Sequence, residues 1–327
     1  MLIFTLFTPS HAHFYALPIH PHVTPQKTMQ KQVKQKRSVK EFAAQHKHTL
    51  SLTHKVAGPA IPHLTLPNLL SSFRSLGYQS INMYRAVKTL KAAKQGIILA
   101  FTSNIISCGL RDTIRYLIPY CKAVVTTTGA IEEDIIKTAN DFYVTDYHAH
   151  AGHELRANGY NRIGNLAVHN DSYVWFEAYL RDRLVHMEGT MSTAEFVDAI
   201  APDDDRSFVA CAKRMKVPVF VCALGDGSIG DVCTFGGGMR FRIDVVRDFH
   251  HFLGVAEGCT GLVVGDGAVR HRMAHARMSD VVHLTMRTAY DGSDWECELG
   301  NGVRVVGEAS VLLPLLVYGA YECADFD

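Results

Sequence analysis

Small hydroxyl and amide side chains gather where apolar runs give way to polar ones. Thr102-Ser103-Asn104 follows the run 96–101, with Ile105, Ile106, Ser107 and Gly109 next. Thr126-Thr127-Thr128-Gly129 closes the run 123–127 and leads into Glu132-Glu133-Asp134. At the start of a helix such residues hydrogen-bond ribose and phosphate oxygens beside free backbone N–H groups, and they also serve as plain helix caps. Gly225-Asp226-Gly227-Ser228-Ile229-Gly230 satisfies G-x-G-x-x-G after the apolar run 217–224, the letter pattern of a dinucleotide-binding turn. Asp226 and Asp231 bring negative charge there and oppose a pyrophosphate, so a plain turn explains the letters equally well. Three polar turns at strand ends together point to a nucleotide site.

The acids Glu132, Glu133, Asp231 and Asp294 all lie next to such turns. Converging carboxylates bind a polycation through charge-assisted hydrogen bonds and repel an anion. Taken singly, each is also an ordinary solvated acid. His148, His150, His153 and Glu154 have the types and closeness of a metal cluster, but no further Asp and His ligands follow at strand ends, and in a chain with 18 histidines a surface cluster is preferred. No metal is therefore expected. His271, in Gly265-Asp266-Gly267-Ala268-Val269-Arg270-His271, follows a strand and a glycine turn and is the better candidate for a site histidine.

Something must hold these turns. The chain has 327 residues, 47% of them hydrophobic, enough to bury a large core. Its formal charge of +1 conceals a split, with 14 Lys and Arg against the single acid Glu41 up to Arg111 and an excess of acids beyond it. The acidic part suits a cationic ligand or a basic partner. Eight scattered cysteines without a CxxC pair argue against a structural zinc site and for a reducing, cytoplasmic setting. No apolar run reaches the roughly 20 residues of a membrane span, and the candidate 311–320 is expected to be broken by Pro314. Neither a membrane nor a nucleic acid is among the expected partners.

Residues 1–62 are rich in His, Lys, Pro and Thr, and read as a flexible basic arm with a possible helix at 28–46. From 63 to 327 the pattern is that of one folded domain. Leu69, Leu70, Phe73 and Leu76, then Met83, Ala86, Val87 and Leu90, have helical spacing. Apolar runs at 96–101, 123–127, 217–224, 260–264 and 281–286 alternate with helical stretches at 110–120, 132–139, 245–255 and 269–278. That alternation predicts an α/β fold, a parallel sheet flanked by helices.

The segments 101–112, 126–134, Asn158-Gly-Tyr-Asn-Arg-Ile-Gly-Asn165, 226–231 and Tyr290-Asp291-Gly292-Ser293-Asp294 occur in this order and together resemble the deoxyhypusine synthase family over residues 68–318 or so. The resemblance implies a Rossmann-like NAD-binding fold and a tetramer with active sites at dimer interfaces. It implies a reaction in which NAD oxidises spermidine, the aminobutyl group passes to an enzyme lysine as an imine, and translation initiation factor 5A receives it. By position, NAD contacts would come from Ser103 to Ser107, Thr127, Thr128, Gly129, Glu133, Asp226, Gly267, Thr288, Ala289, Asp291, Glu308 and Ala309. Spermidine contacts would come from Glu132, Asp231, His271, Gly292, Ser293 and Asp294.

One departure outweighs the match. The family's nucleophile is the lysine of a Trp-Gly-Lys, whereas here Trp295 leads through a shorter loop into Val303, and no lysine follows Lys216. Arg270 and Arg304 cannot replace it, because a guanidinium stays protonated and offers no free amine. Asp266 also interrupts the family's triple glycine, so NAD binding is expected to be weakened or reshaped, whereas Glu308 in place of the family's Asp keeps the carboxylate but lengthens it. These features imply no catalytic residue of its own and a regulatory subunit of a catalytic paralogue, in a heterotetramer. The alternatives are an NAD-dependent polyamine oxidoreductase, with His271 as proton acceptor, and a non-catalytic polyamine or NAD sensor.

Overall fold

A computed structural model describes residues 55–236, 239–287, 302–324 and 326. Most of the expected arm, with its helix at 28–46, lies outside the described residues, as do Thr288, Ala289, Asp291, Gly292, Ser293 and Asp294.

Eleven strands appear among the described residues: β1 (Ile97–Phe101), β2 (Cys121–Thr127), β3 (Phe142–Val144), β4 (Tyr160–Ile163), β5 (Leu166–His169), β6 (Glu188–Met191), β7 (Val219–Cys222), β8 (Arg240–Ile243), β9 (Thr260–Val264), β10 (Asp280–Thr285) and β11 (Gly302–Val306). Six form the main sheet in the order β11-β10-β9-β1-β2-β7. Every pairing in it is parallel. Counted by their appearance in the chain, these strands run 3-2-1-4-5-6, the doubly wound order of dinucleotide-binding folds, and the order reverses between β1 and β9.

The central strands are apolar on both faces because helices cover both. Ile97–Phe101 and Thr260–Val264 are buried at every position, as a parallel sheet requires. Leu99, Phe101, Val124, Leu262 and Val264 pack in one core with Val87 and Leu90 of the helix Gln79–Lys91 and Ile131 and Ile135 of the helix Thr128–Ala139. Ile98, Ala100, Val125, Phe220 and Val263 pack in the other with Phe252 and Met273.

All five apolar runs contain a strand, and the helices expected from residue 63 onward are present. The long crossover from β2 to β7 carries an antiparallel group, β3-β5-β4, and β6, which pairs with β8. Of these, β3, β4, β6 and β8 are half exposed and β5 is buried but only four residues long, so none had a long apolar run to mark it in the sequence. Pro314 does not break its run: the helix Ala309–Val317 continues through it. Proline's missing N–H removes one backbone bond, and buried Leu313, Leu316 and Val317 hold the helix in place. Among the described residues no helix is long and apolar enough to cross a membrane.

Candidate functional site

Parallel strands deliver all their exits to one edge, so the turns after β1, β2, β7, β9, β10 and β11 share one side of the sheet. At the reversal point the turns after β1 and β9 are in close contact. Gly265 has φ +96°, and a Cβ there would lie 2.8 Å from Thr102 Oγ1. The turns after β1 and β2 are equally close: the Ser103 N–H donates to Thr127 Oγ1 at 3.2 Å, and a Cβ on Gly129 would meet Ser103 Cβ at 3.1 Å. The Thr128 hydroxyl donates to Ala223 O at 2.9 Å, tying this turn to the one after β7.

Thr102, Ser103, Thr127, glycines without side chains and the N-terminus of the 12-residue helix Thr128–Ala139 thus meet at the crevice where such sheets bind ligands. The chemistry of this donor set fits ribose and phosphate oxygens. Ile105 and Ile106 are fully buried, which leaves only their backbone to offer a ligand. Ser107 is buried too and donates its hydroxyl to Glu133.

Three successive acids on the helix Thr128–Ala139 are buried and have different partners. Glu132 Oε1 accepts from the Ile229 N–H at 2.7 Å and sits against Gly227, where a Cβ would be 2.8 Å away. Burial pushes its carboxyl up to about 7, with the charge of Asp231 adding to the shift. Glu133 is also pushed up to about 7 by burial, against the pull of Ser107 and Lys137. Asp134 accepts from the Ser207 hydroxyl and from the N–H groups of Phe208 and Val209 at 3.1 and 3.2 Å, which makes it a structural cap for the helix Phe208–Met215. Tyr173, half-buried on the helix Asn170–Leu184, is raised to about 12 by burial and by Glu133 and Glu132.

The G-x-G-x-x-G letters are explained by the plain-turn alternative. Their turn follows the edge strand β7, away from the reversal point. Gly230 packs on the Gly225 carbonyl, where a Cβ would be 2.1 Å from the oxygen, and the helix start donates to Glu132. Asp226 and Asp231 are exposed at the two ends of this turn.

Asp266, the residue that interrupts the triple glycine of the resemblance, is engaged with the neighbouring strand. Its carboxylate turns back toward β10, accepting from Thr285 Oγ1 at 2.6 Å and lying 3.2 Å from His283 Nε2 and 3.7 Å from Arg287 Nε. Burial works to raise its pKa, but bonds from His283 and Thr285 and the nearby positive charges outweigh burial and hold it below the usual value. Gly267, with φ +67°, precedes the helix Ala268–Ala274, on which His271 is exposed with its ring 4.8 Å from that of His275. Glu308 caps the helix Ala309–Val317, accepting from the Ser310 N–H at 2.9 Å. His148, His150 and His153 are exposed in the crossover, and among the described residues no three His, Cys, Asp or Glu could share a metal ion.

Two residues near the site escaped the sequence reading. Tyr173 has no signature, but Lys137, one helical turn after Glu133, has the spacing of a paired charge.

A family model for deoxyhypusine synthase matches residues 68–320. A probable deoxyhypusine synthase of Schizosaccharomyces pombe is 31% identical over 316 residues, 82% of this chain and 89% of that protein. A deoxyhypusine synthase regulatory subunit of Trypanosoma brucei brucei is 33% identical over 298 residues, 76% of this chain and 86% of the relative. Among solved structures, a putative deoxyhypusine synthase from Entamoeba histolytica superposes with a TM-score of 0.58 at 21% identity, covering 82% of this chain and 97% of its own, a likeness of fold.

Proposed function

We propose, for a chain that belongs to the deoxyhypusine synthase family, that it is a regulatory subunit without catalysis of its own. It activates a catalytic paralogue within a heterotetramer that makes deoxyhypusine on translation initiation factor 5A from spermidine. The observation that carries this reading is the absence of any lysine after Lys216 in a chain that keeps the buried acids Glu132 and Glu133. An imine needs a neutral amine as nucleophile. Lys137, which is near these acids, has its pKa lowered by burial, against the pull of Glu133, and its amino group is engaged with two backbone carbonyls, Ile106 O and Ser107 O.

Residues that would hold NAD are the polar turns at Ser103–Ser107 and Thr127–Gly129, to which the resemblance adds Glu133, Asp226, Gly267, Glu308 and Ala309. NAD, when bound, supplies the hydride acceptor. The chain's own part is to present oxygens and amides to the dinucleotide and carboxylates to the polyamine. Glu132, with Asp231 beside it, offers negative charge next to the turn after β7, and an alkylammonium supplies a countercharge. Lending such a half-site to a partner that brings the lysine requires no nucleophile here.

The test is to purify the chain alone and with its paralogue, and to assay spermidine-dependent transfer to the factor. The expected result is no transfer by the chain alone and at least about a tenfold gain for the paralogue on mixing, or about 1.4 kcal/mol of barrier. Robust transfer by the isolated chain overturns the proposal. NADH release from spermidine without a protein acceptor would favour the oxidoreductase alternative instead.

A further inference from the structure

Lys137 lies one turn beyond Glu133 on the helix Thr128–Ala139, so the two side chains leave the same face. Its ammonium donates to Ile106 O at 2.6 Å and Ser107 O at 2.9 Å, and it stands 4.5 Å from the centre of the Phe142 ring. Glu133 meanwhile accepts the Ser107 hydroxyl. The polar turn after β1 continues into a helix of only four residues, Asn104–Ser107, and the last carbonyls of a helix lack partners within it. Lys137 supplies partners for two of them, with a positive charge where the helix end is partially negative. One face of one helix therefore grips the short helix at two points, by a carboxylate and by an ammonium.

We propose that Lys137 is a positioning residue for the cofactor cradle, fixing the segment Ser103–Ser107 against the helix that carries Glu132 and Glu133. This rests on the reading that the segment receives a dinucleotide. Lys137 touches the β1 side of the crevice, whereas Glu132 faces the turn after β7. Loosening the clamp should therefore weaken the dinucleotide and spare the polyamine.

The experiment compares the full chain with Lys137→Met and Lys137→Arg, using hydrogen exchange, calorimetric titration with NAD and the thermal shift induced by spermidine. Lys137→Met is expected to speed exchange of amides 105–109 while leaving those of β9 unchanged, and to weaken NAD about tenfold with the spermidine shift kept. Lys137→Arg, which retains the charge and donors, is expected to recover most of both losses. Unchanged exchange at 105–109 in Lys137→Met overturns the proposal, and so does a loss spread evenly over NAD, spermidine and the β9 amides. Should the unaltered chain fail to bind NAD, the cofactor reading falls and exchange alone judges the clamp: faster exchange at 105–109 supports it, and wild-type exchange overturns it.

Discussion

Two halves of the sheet edge carry acids of the same kind and use them in opposite ways. On the β2 side Glu132 and Glu133 are buried, and their carboxyls are pushed up to about 7. On the β9–β10 side Asp266 is held below its usual value by His283, Thr285 and Arg287, although burial works the other way. The difference lies in the neighbours. An acid whose bonds and neighbouring charges outweigh its burial braces the fold, whereas a buried acid whose neighbours do not, such as Glu133 beside Lys137, is costly until a cationic ligand arrives. Asp134, next to Glu133 in sequence, is also pushed up by burial, to about 6, yet it works as a brace, because its oxygens are taken by one hydroxyl and two backbone N–H groups.

The largest expected effect tests that last assignment. Asp134→Ala leaves the Ser207 hydroxyl and the N–H groups of Phe208 and Val209 buried without their acceptor, a loss of about 3 kcal/mol in urea unfolding. Stability near that of the unaltered chain would remove Asp134 from the braces.

The next effect depends on pH. A carboxyl whose folded pKa is raised keeps its proton when the unfolded chain has lost it, so the folded state binds more protons between about 4.5 and about 7. Stability then falls as pH rises through that window. Glu132→Gln removes one such group and is expected to stabilise the chain by about 2 kcal/mol at pH 8, with little change at pH 5. Spermidine binding to the unaltered chain should strengthen as pH rises through about 7, where these carboxyls ionise in the folded state, and should be largely lost in Glu132→Gln. Calorimetry at pH 5.5 and pH 8 checks both signs.

On the other half the sign reverses. Asp266 has a lowered pKa, so its stabilisation is present above about 3.8, the ordinary value, and is lost as pH falls through the folded value below it. Asp266→Ala is expected to cost about 1 kcal/mol at pH 7, after allowance for solvent screening, and the cost should vanish in strong acid. Smallest of all, replacing His148, His150 and His153 together by Ala should change stability by under about 0.5 kcal/mol, as for exposed residues away from packed features. A larger loss would give the crossover a role beyond its surface.

Much of the fold was legible because its cause is local. Five apolar runs became strands, and Leu69, Leu70, Met83, Val87 and Leu90 had the spacing of the helices they formed. The edge strands β3, β4, β6 and β8 were not legible, since half-exposed residues carry no sustained apolar run. In the site, Thr127, Gly129, Glu132 and Ser103 were recognisable from type and position. What each acid does was not, because Glu132 depends on Ile229, Asp134 on Ser207, and Asp266 on His283, partners 97, 73 and 17 residues away.

By itself the sequence determined that strands alternate with helices and that no amine exists beyond Lys216 to form an imine, since side-chain chemistry needs no coordinates. Only the tertiary structure decided which turns meet at the reversal between β1 and β9. It likewise decided that Asp266 is turned toward β10 and that Lys137 grips the turn after β1. Charge and hydrogen bonding act over a few ångströms, and it is the packing of parallel strands that brings such distant residues within that range.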